Sequence, residues 1–286
     1  MSLVSVFLTV ALATVIPAAT MLPASTFADP ISVAQDLKIG SVRHHDAYTV
    51  KEVTFASPTG HRVFGEIVEP IHAGLHAGVL FVHWLGDAKT TNHTEFDPDA
   101  IALAHKGVTS LLVDAMWSTP SWFDHGRSTK VDFVDTVNQV IDLRRALDVL
   151  TTRPDVDSNR IAFVGHDFGS MCGAVLAGID KRPKWYVLMA GTVTFSEWYL
   201  LGAQPADKAA YIAKMAALNP TLYMPHATAE AFLLSRARRF ADAVTAPKEV
   251  RFYDAGHSLA IPGARHDRIS WLESKLEAAR LRVVPH

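Results

Sequence analysis

The sequence predicts a single α/β domain, built on a mostly parallel sheet of about eight strands with helices on both faces. From about residue 48 onward, short β-branched or aromatic runs alternate with helical patterns, as they do in a parallel sheet with helical crossovers. The 286 residues are 49% hydrophobic and 20% charged, which is enough to bury a large core in one domain.

Eight short apolar runs are predicted to be strands. They are residues 49–55, 63–68, 79–84, 110–115, 160–165, 186–190, 222–224 and 249–253. The turn residues Ser57-Pro58-Thr59-Gly60 separate the first two runs, which predicts an antiparallel hairpin. The other six lie far enough apart for helical crossovers between parallel strands.

Three longer segments are predicted to be helices. In residues 131–153, apolar side chains such as Val137, Val140 and Leu147 recur every three or four positions, and Pro154 follows the end. Residues 229–244 and 265–280 have similar patterns. These helices are sufficient to cover both faces of the predicted sheet.

The first 28 residues resemble an export signal. No charged side chain lies between Ser2 and Phe27, and residues 3–16 are almost wholly apolar. Because Thr26 and Ala28 are small residues at the positions that a signal peptidase reads, the sequence predicts cleavage after Ala28 and an exported domain of residues 29–286 in the periplasm or outside the cell. The alternative is an uncleaved membrane anchor, since no Lys or Arg precedes the apolar stretch and about 20 apolar residues span a bilayer.

The charge pattern favours a small-molecule substrate as the partner. A net charge of -2 without blocks of like charge leaves no basic field for nucleic acid. Cys172 is the only cysteine, so no internal disulfide is expected. The sequence contains no zinc-binding spacing and no dinucleotide or phosphate loop, and we therefore expect neither a metal nor a cofactor. The oligomeric state is left open.

A tight turn after the fifth predicted strand carries the strongest chemical signal. The buried pattern of residues 161–164 leads directly into Gly165-His166-Asp167-Phe168-Gly169 and then into a helical segment. In such an elbow the central residue is held in a strained turn, so small residues are needed on both sides. The amide of Phe168 then faces an anion that develops above the sheet. The alternative role for Asp167 is a helix N-cap.

This motif in this context resembles the α/β-hydrolase superfamily, and the resemblance covers nearly all of the chain from Tyr48 onward. The Gly-His-Asp-aromatic-Gly elbow is similar to that of haloalkane dehalogenases and epoxide hydrolases, in which the aspartate attacks a saturated carbon. The order of elements and the compact length are more similar to dienelactone hydrolase and related esterases, where Cys or Ser holds this position. The resemblance implies an α/β-hydrolase fold with a minimal lid, and it leaves the branch open.

The resemblance also implies a base and an acid. A histidine on the loop after the last strand is the base of this superfamily, and His257 matches it. In this superfamily the acid usually lies in a motif similar to His-Gly-Thr-x-Asp. Residues 226–230 resemble this motif, so the implied acid is Glu230. The alternatives are that Asp254 is the acid, or that Glu230 is simply a residue in the first turn of a helix.

Further site residues follow from positions near the strand ends. The third strand runs into His83-Trp84-Leu85, where these enzymes supply a second oxyanion amide, so the amide of Trp84 or of Leu85 is implied beside that of Phe168. His83 and His166 are expected to be structural hydrogen-bonding groups.

A set of aromatic residues is expected to line an apolar pocket or, alternatively, to pack in the core. These residues are Trp84, Trp117, Trp122, Trp198 and Tyr199. By analogy with dehalogenases, the Trp84 indole is a candidate to bind a leaving anion. The lid, residues 193–220, also carries Tyr211, and epoxide hydrolases use lid tyrosines to protonate the opening oxygen.

The resulting hypothesis is a hydrolase acting on a small, mostly apolar molecule. Asp167 attacks carbon to form a covalent ester, and His257, oriented by Glu230, activates the water that hydrolyses it. The displaced group is a halide, an epoxide oxygen or an activated ester. One alternative is a carboxylesterase or lactone hydrolase in which Asp167 acts as a base for direct water attack, and another is a catalytically silent binding protein.

Overall fold

The computed structural model describes residues 19–28 and 35–282 of the chain. Within these residues one nine-stranded sheet dominates the fold, in the order β1-β2-β3-β5-β4-β6-β7-β8-β9. The strands are Lys38–His44 (β1), Tyr48–Ala56 (β2), Arg62–Pro70 (β3), His76–Val82 (β4), Val108–Val113 (β5), Val156–His166 (β6), Pro183–Met189 (β7), Ala231–Ser235 (β8) and Lys248–Arg251 (β9). The β2–β3 hairpin is antiparallel, as predicted, and β4 to β9 are parallel.

Helices cover both faces of the sheet, which confirms the predicted fold class. They are Asp97–Ala104 (α1), Asp132–Thr151 (α2), Phe168–Ile179 (α3), Phe195–Tyr199 (α4), Lys208–Met215 (α5), Pro220–Tyr223 (α6), Arg238–Ala241 (α7) and Pro262–Arg282 (α8). Apolar side chains of α2 and α3 pack in one buried cluster, and those of α1 and α8 pack in a second cluster across the sheet. None of the described helices combines the length and the apolar character needed to cross a bilayer.

Two predicted elements are wrong, and both lie near the seventh strand. The predicted strand 222–224 falls on the short helix α6 and the turn after it, and the predicted helix 229–244 contains β8 and the short helix α7. All five residues of β8, Ala-Phe-Leu-Leu-Ser, are buried, so the strand lacks the alternation that marks a half-exposed strand. Strand β1 was not predicted at all, because its side chains are all exposed and form no apolar pattern.

Residues 19–28 pack against the body of the domain. The Phe27 side chain is fully buried, its ring centroid lies 6.0 Å from that of Tyr223, and its carbonyl accepts a hydrogen bond from the Arg144 guanidinium. The Leu22 amide donates to the Tyr223 hydroxyl at 3.2 Å. Residues 1–18 of the predicted leader lie outside the described residues, and so do residues 29–34. Cleavage after Ala28 stays a prediction, and this packing of Phe27 opposes it.

Parallel order brings the carboxyl ends of the central strands to one edge of the sheet. The register pairs Val82 of β4 with Gly165 of β6, and His166 of β6 with Met189 of β7. The loops that follow these strands therefore meet at this edge, where ligands bind in open α/β sheets.

Candidate active site

Asp167 sits in a sharp turn between β6 and α3, as the motif predicts. Its backbone angles are φ 54° and ψ −114°, in a region that side chains with a Cβ rarely adopt. The Asp167 amide donates to the Met189 carbonyl at 2.8 Å, which ties the turn to β7. A Cβ added at Gly165 or at Gly169 would lie under 3.0 Å from a backbone carbonyl oxygen, so both neighbours of the turn must be glycine.

The Asp167 carboxylate faces a base on one side and an amide on the other. The residue is 1% exposed, and its Oδ2 accepts a hydrogen bond from the Leu85 amide at 3.2 Å. Its Oδ1 lies 3.7 Å from Nε2 of His257. Neither Oδ1 nor Nε2 has a hydrogen-bond partner among the described residues. Asp167 occupies the N-cap position of α3, but its side chain makes no capping hydrogen bond to the helix.

The structure separates the two amides that the sequence left as alternatives. The Trp84 amide donates to Oε2 of Glu95 at 2.8 Å and is therefore occupied. The Leu85 amide is the one that reaches the Asp167 carboxylate. Phe168 begins α3 and is fully buried, and its amide belongs to the first turn, whose N–H groups have no acceptor within the helix.

His257 lies on the loop between β9 and α8, with a side chain that is 30% exposed. Three rings surround its imidazole, with centroid distances of 5.6 Å to Trp84, 5.5 Å to His166 and 5.1 Å to Trp198. The predicted base and nucleophile are thus brought together, inside an aromatic wall.

Glu230 is not brought to His257, and the predicted role as acid is corrected here. The residue immediately precedes β8, its amide donates to the Lys184 carbonyl at 2.7 Å, and its carboxylate lies 3.8 Å from the Lys184 ammonium. It therefore lies at the amino end of β8, whereas Asp167 lies at the carboxyl edge, with the length of a strand between them. The error follows from misplacing the strand, since the residues after β8 are Arg236-Ala237-Arg238 and contain no carboxylate. Asp254, the alternative acid, is exposed.

The predicted pocket tryptophans gather around the elbow. Trp117 is buried, its Nε1 donates to the Trp84 carbonyl at 3.1 Å, and its ring lies 5.5 Å from that of Phe168. Trp122 is half-buried and donates to Asp135 at 3.1 Å. Nε1 of Trp198 is buried and has no hydrogen-bond partner in the part of the chain that is described. Trp198 therefore brings an unused donor close to His257.

The two lid tyrosines have their hydroxyl groups engaged elsewhere. The Tyr199 hydroxyl lies 2.9 Å from the Thr136 hydroxyl, and the Tyr211 hydroxyl donates to Asp132 at 2.8 Å. Burial raises the pKa of Tyr199 well above its ordinary value. The Tyr199 side chain thus packs in the core. Neither hydroxyl is directed to Asp167 as an epoxide-hydrolase mechanism requires.

His83 has the structural role expected from the sequence. It is fully buried, the Ala115 amide donates to its Nε2 at 3.1 Å, and its Nδ1 lies 2.9 Å from the Trp84 carbonyl. Burial lowers the pKa of His83, which favours the neutral ring. In the described part of the chain, no cluster of three His, Cys, Asp or Glu side chains is arranged to bind a metal ion.

One residue of the candidate site, Glu95, was not identified by the sequence analysis. Its Oε1 lies 2.6 Å from Nδ1 of His166, and its Oε2 accepts the Trp84 amide. The other ring nitrogen of His166 lies 3.0 Å from the His257 carbonyl. Glu95 stands in the polar segment Thr91-Asn92-His93-Thr94-Glu95, which carries no motif or periodicity that marks a functional residue.

Two cavities lie beside Trp122, and the smaller one borders the loop that carries Leu85. The nearer one, of about 310 Å³, is lined by Leu85, Trp117 and Phe123 among others. A larger one, of about 600 Å³, extends toward Asp142, and both touch Trp122. Asp167 and His257 line neither cavity, which agrees with the almost complete burial of Asp167.

Comparison with known proteins gives matches in structure alone. No model of a protein family matches the sequence, and no curated protein matches it. Acetyl xylan esterase from Paenibacillus sp. R4 is similar in structure, with a TM-score of 0.70 and 16% identity over 88% of this chain and 92% of that one. Acetyl xylan esterase 1 from Thermoanaerobacterium sp. JW/SL YS485 gives a TM-score of 0.71 and 12% identity, over 90% of this chain and 95% of that one.

A third solved structure is named a putative dienelactone hydrolase, from Klebsiella pneumoniae subsp. pneumoniae MGH 78578. It matches with a TM-score of 0.58 and 14% identity, over 81% of this chain and 99% of that one. These identities are too low to carry an activity across, but the agreement in fold extends over most of each chain. The sheet, the elbow and these solved structures together show that the chain has the α/β-hydrolase fold.

Proposed function

We propose that the chain hydrolyses a carboxylic ester or lactone bond in a small molecule. The observation that carries this proposal is a pair of buried atoms, Oδ1 of Asp167 and Nε2 of His257, which lie 3.7 Å apart and have no hydrogen-bond partner among the residues that the structure describes. Buried polar groups without partners are costly, and they persist where a substrate or a reaction uses them. The ester bond is supported by similar folds that are named acetyl xylan esterase and dienelactone hydrolase.

Two routes are compatible with this pair. In the covalent route, Oδ1 attacks the substrate carbon as the bond to the leaving group breaks. Water that gives its proton to His257 then attacks the Asp167 carboxyl carbon, and the bond between that carbon and Oδ1 breaks. The product leaves with Oδ1 and takes the proton, and the water oxygen stays in Asp167. The charge that develops on Oδ2 lies against the Leu85 amide, which is 3.2 Å away. In the direct route, Asp167 and His257 remove a proton from water that attacks the acyl carbon, and the enzyme forms no bond to the substrate.

A second candidate is displacement of a halide from a saturated carbon. It is favoured by the Leu85 amide, which binds the enzyme's own carboxylate and so serves an ester formed on Asp167. Epoxide opening loses support, because the hydroxyls of Tyr199 and Tyr211 are bound to Thr136 and Asp132.

A turnover screen in ¹⁸O-labelled water tests the proposal and separates the routes. We expect hydrolysis of p-nitrophenyl acetate or of dihydrocoumarin, and loss of that activity in both Asp167→Ala and His257→Gln. Label in the peptide that contains Asp167 identifies the covalent route, and label in the product alone identifies the direct route. The exposed carboxylate of Asp242, in the turn after α7, provides a control, because Asp242→Ala should leave the rate unchanged.

The contrary outcomes are equally distinct. Release of bromide from 1-bromobutane, without any turnover of esters or lactones, would replace the proposal by the second candidate. Binding of these compounds without turnover of any of them would leave the catalytically silent binding protein.

A further inference from the structure

We infer that Glu95 and His166 position the base and the oxyanion amide for the reaction, in a structure where no side-chain carboxylate from the end of β8 reaches His257. This inference rests on the proposed function, because it requires His257 to act as the base.

Three hydrogen bonds connect three separate loops through this pair. Glu95 binds His166 with one carboxylate oxygen, at 2.6 Å, and the Trp84 amide with the other, at 2.8 Å. His166 then reaches the main-chain carbonyl of His257 at 3.0 Å. This unit therefore holds the loop after β4, the elbow and the loop between β9 and α8 that carries His257 (the base loop). Its His166 ring is 0% exposed and its Glu95 side chain is 17% exposed.

Ring stacking adds a second restraint on the same groups. The His166 ring stacks on Trp84 with centroids 5.5 Å apart and an interplanar angle of 14°. Its other neighbour is His257, at 5.5 Å and 25°. His166 thus fixes the base both through its main chain and through its ring.

His166 has a hydrogen-bond partner at each ring nitrogen. These partners are the Glu95 carboxylate and the His257 carbonyl, and both can accept a proton from the ring. Removing Glu95 leaves a nitrogen of the fully buried His166 ring without its partner, which is costly.

Arg236 also holds the base loop through its backbone. Arg236, the first residue after β8, donates from its guanidinium to the Ala255 carbonyl at 2.9 Å. In this part of the fold the usual acid orients the imidazole directly. Here Arg236 and His166 each bind a main-chain carbonyl of the base loop, and the imidazole follows the loop. Because Glu95 also binds the Trp84 amide, it sets Leu85, the next residue, relative to the same base.

Substitutions of the pair test this role, with p-nitrophenyl acetate as the substrate. Glutamine at position 95 keeps one acceptor oxygen but presents an N–H group where the second oxygen stood, so one of the two hydrogen bonds is lost. We expect Glu95→Gln and His166→Gln each to lower kcat by about tenfold to a hundredfold, as partners that orient reacting groups do, with KM little changed. Glu52→Gln, an exposed residue on β2, is the matched control and should keep the wild-type kcat.

A double-mutant cycle and a spectroscopic readout separate positioning from a merely structural role. If the residues act as one unit, the double variant should lose little more kcat than either single variant. In ¹⁵N-histidine NMR of the wild type, both ring nitrogens of His166 should carry protons, and Glu95→Gln should remove one of them. The signals are assigned by their absence in His166→Gln.

Several outcomes overturn the inference without touching the proposed function. Ester turnover that requires His257 but keeps its full kcat in folded Glu95→Gln would do so. A wild-type spectrum with a single ring proton on His166 would also do so, even if Glu95→Gln failed to fold. Absence of any turnover in the wild type would instead contradict the proposed function.

Discussion

At the scale of single residues, Asp167 combines backbone strain with an unpaired buried oxygen. Its φ of 54° and ψ of −114° are conformations that glycine adopts without cost, and Oδ1 has no hydrogen-bond partner within the described structure. A strained residue of this kind costs about 1–3 kcal/mol, which the surrounding structure must supply. The elbow holds Asp167 in this strained conformation and thereby keeps its carboxylate where the loops meet.

We therefore expect Asp167→Gly to raise stability while it abolishes activity. The substitution relieves the backbone strain and removes the unpaired oxygen, and Asp167→Ala, the matched control, removes the oxygen but keeps the strain. Thermal unfolding should give Asp167→Gly a higher Tm than Asp167→Ala. Equal Tm values for the two variants would mean that the turn is not strained.

The buried hydroxyl of Tyr199 gives a prediction in which stability changes and activity does not. Because it is bound to Thr136 and not to the reacting groups, Tyr199→Phe should cost about 1 kcal/mol of stability, the net value of one hydrogen bond, and leave kcat unchanged. Urea denaturation and ester kinetics measure the two effects. A large fall in kcat with full stability would restore a lid tyrosine as proton donor.

At the scale of elements, strand β8 decides which carboxylates can reach the base. Glu230 precedes β8, beside Lys184, and lies a strand's length from the edge that carries Asp167. We expect Glu230→Gln to keep the wild-type kcat and KM for any accepted substrate. A fall in kcat of tenfold or more, at unchanged Tm, would show that Glu230 acts on the site after all.

The start of helix α1 gives a prediction on pH. Burial, followed by the negative charge of Glu66, raises the pKa of Asp97 to about 6, and Oδ1 of Asp97 is buried without a partner among the residues described. A carboxyl group whose pKa is raised on folding destabilises the folded state when it is ionised. This loss of stability develops as the pH rises from the ordinary value of 3.8 to about 6.

Asp97→Asn should consequently be more stable than the wild type at pH 7.5 and lose that advantage at pH 4. Thermal unfolding at the two pH values measures the difference, and Asp242→Asn, at an exposed position, should show no such dependence. A constant difference in Tm between the two pH values would contradict the raised pKa.

The elements also show which parts of the site the sequence can predict. Asp167 and His257 were found because each stands at a fixed distance from a strand that a motif or a β-branched run marks. Glu230 was misassigned because β8 is buried on both faces and reads as a helix, which shifted the expected strand to 222–224. Glu95 gave no signal, since its role depends on a loop conformation that brings distant residues together, His166 and Trp84 among them.

At the scale of the whole molecule, the segment before residue 29 contributes to the core. Phe27 is fully buried against Tyr223, and its carbonyl is bound by Arg144 of α2. We expect Phe27→Ala to lower the free energy of unfolding by about 3–5 kcal/mol, as for other buried phenylalanines. Ser25→Ala, at an exposed position of the same segment, should have little effect.

The same measurement can be made on two truncated chains, one that begins at Thr20 and one that begins at Asp29. The first keeps Phe27 and should unfold at a clearly higher urea concentration than the second. Equal midpoints would show that the segment adds nothing to the stability of the domain.

The burial of Phe27 also restricts the stage at which the predicted cleavage after Ala28 could occur. A protease binds the residues before its cleavage site in an extended form, with their side chains in its own pockets, whereas the folded domain keeps Phe27 enclosed and the Ala28 amide bound to the Ser25 carbonyl. The predicted cleavage after Ala28 would therefore have to precede folding. A chain cut before it folds would lack Phe27 and have a less stable core, whereas a chain that folds first would keep this segment packed, so the order of the two events would decide which product forms.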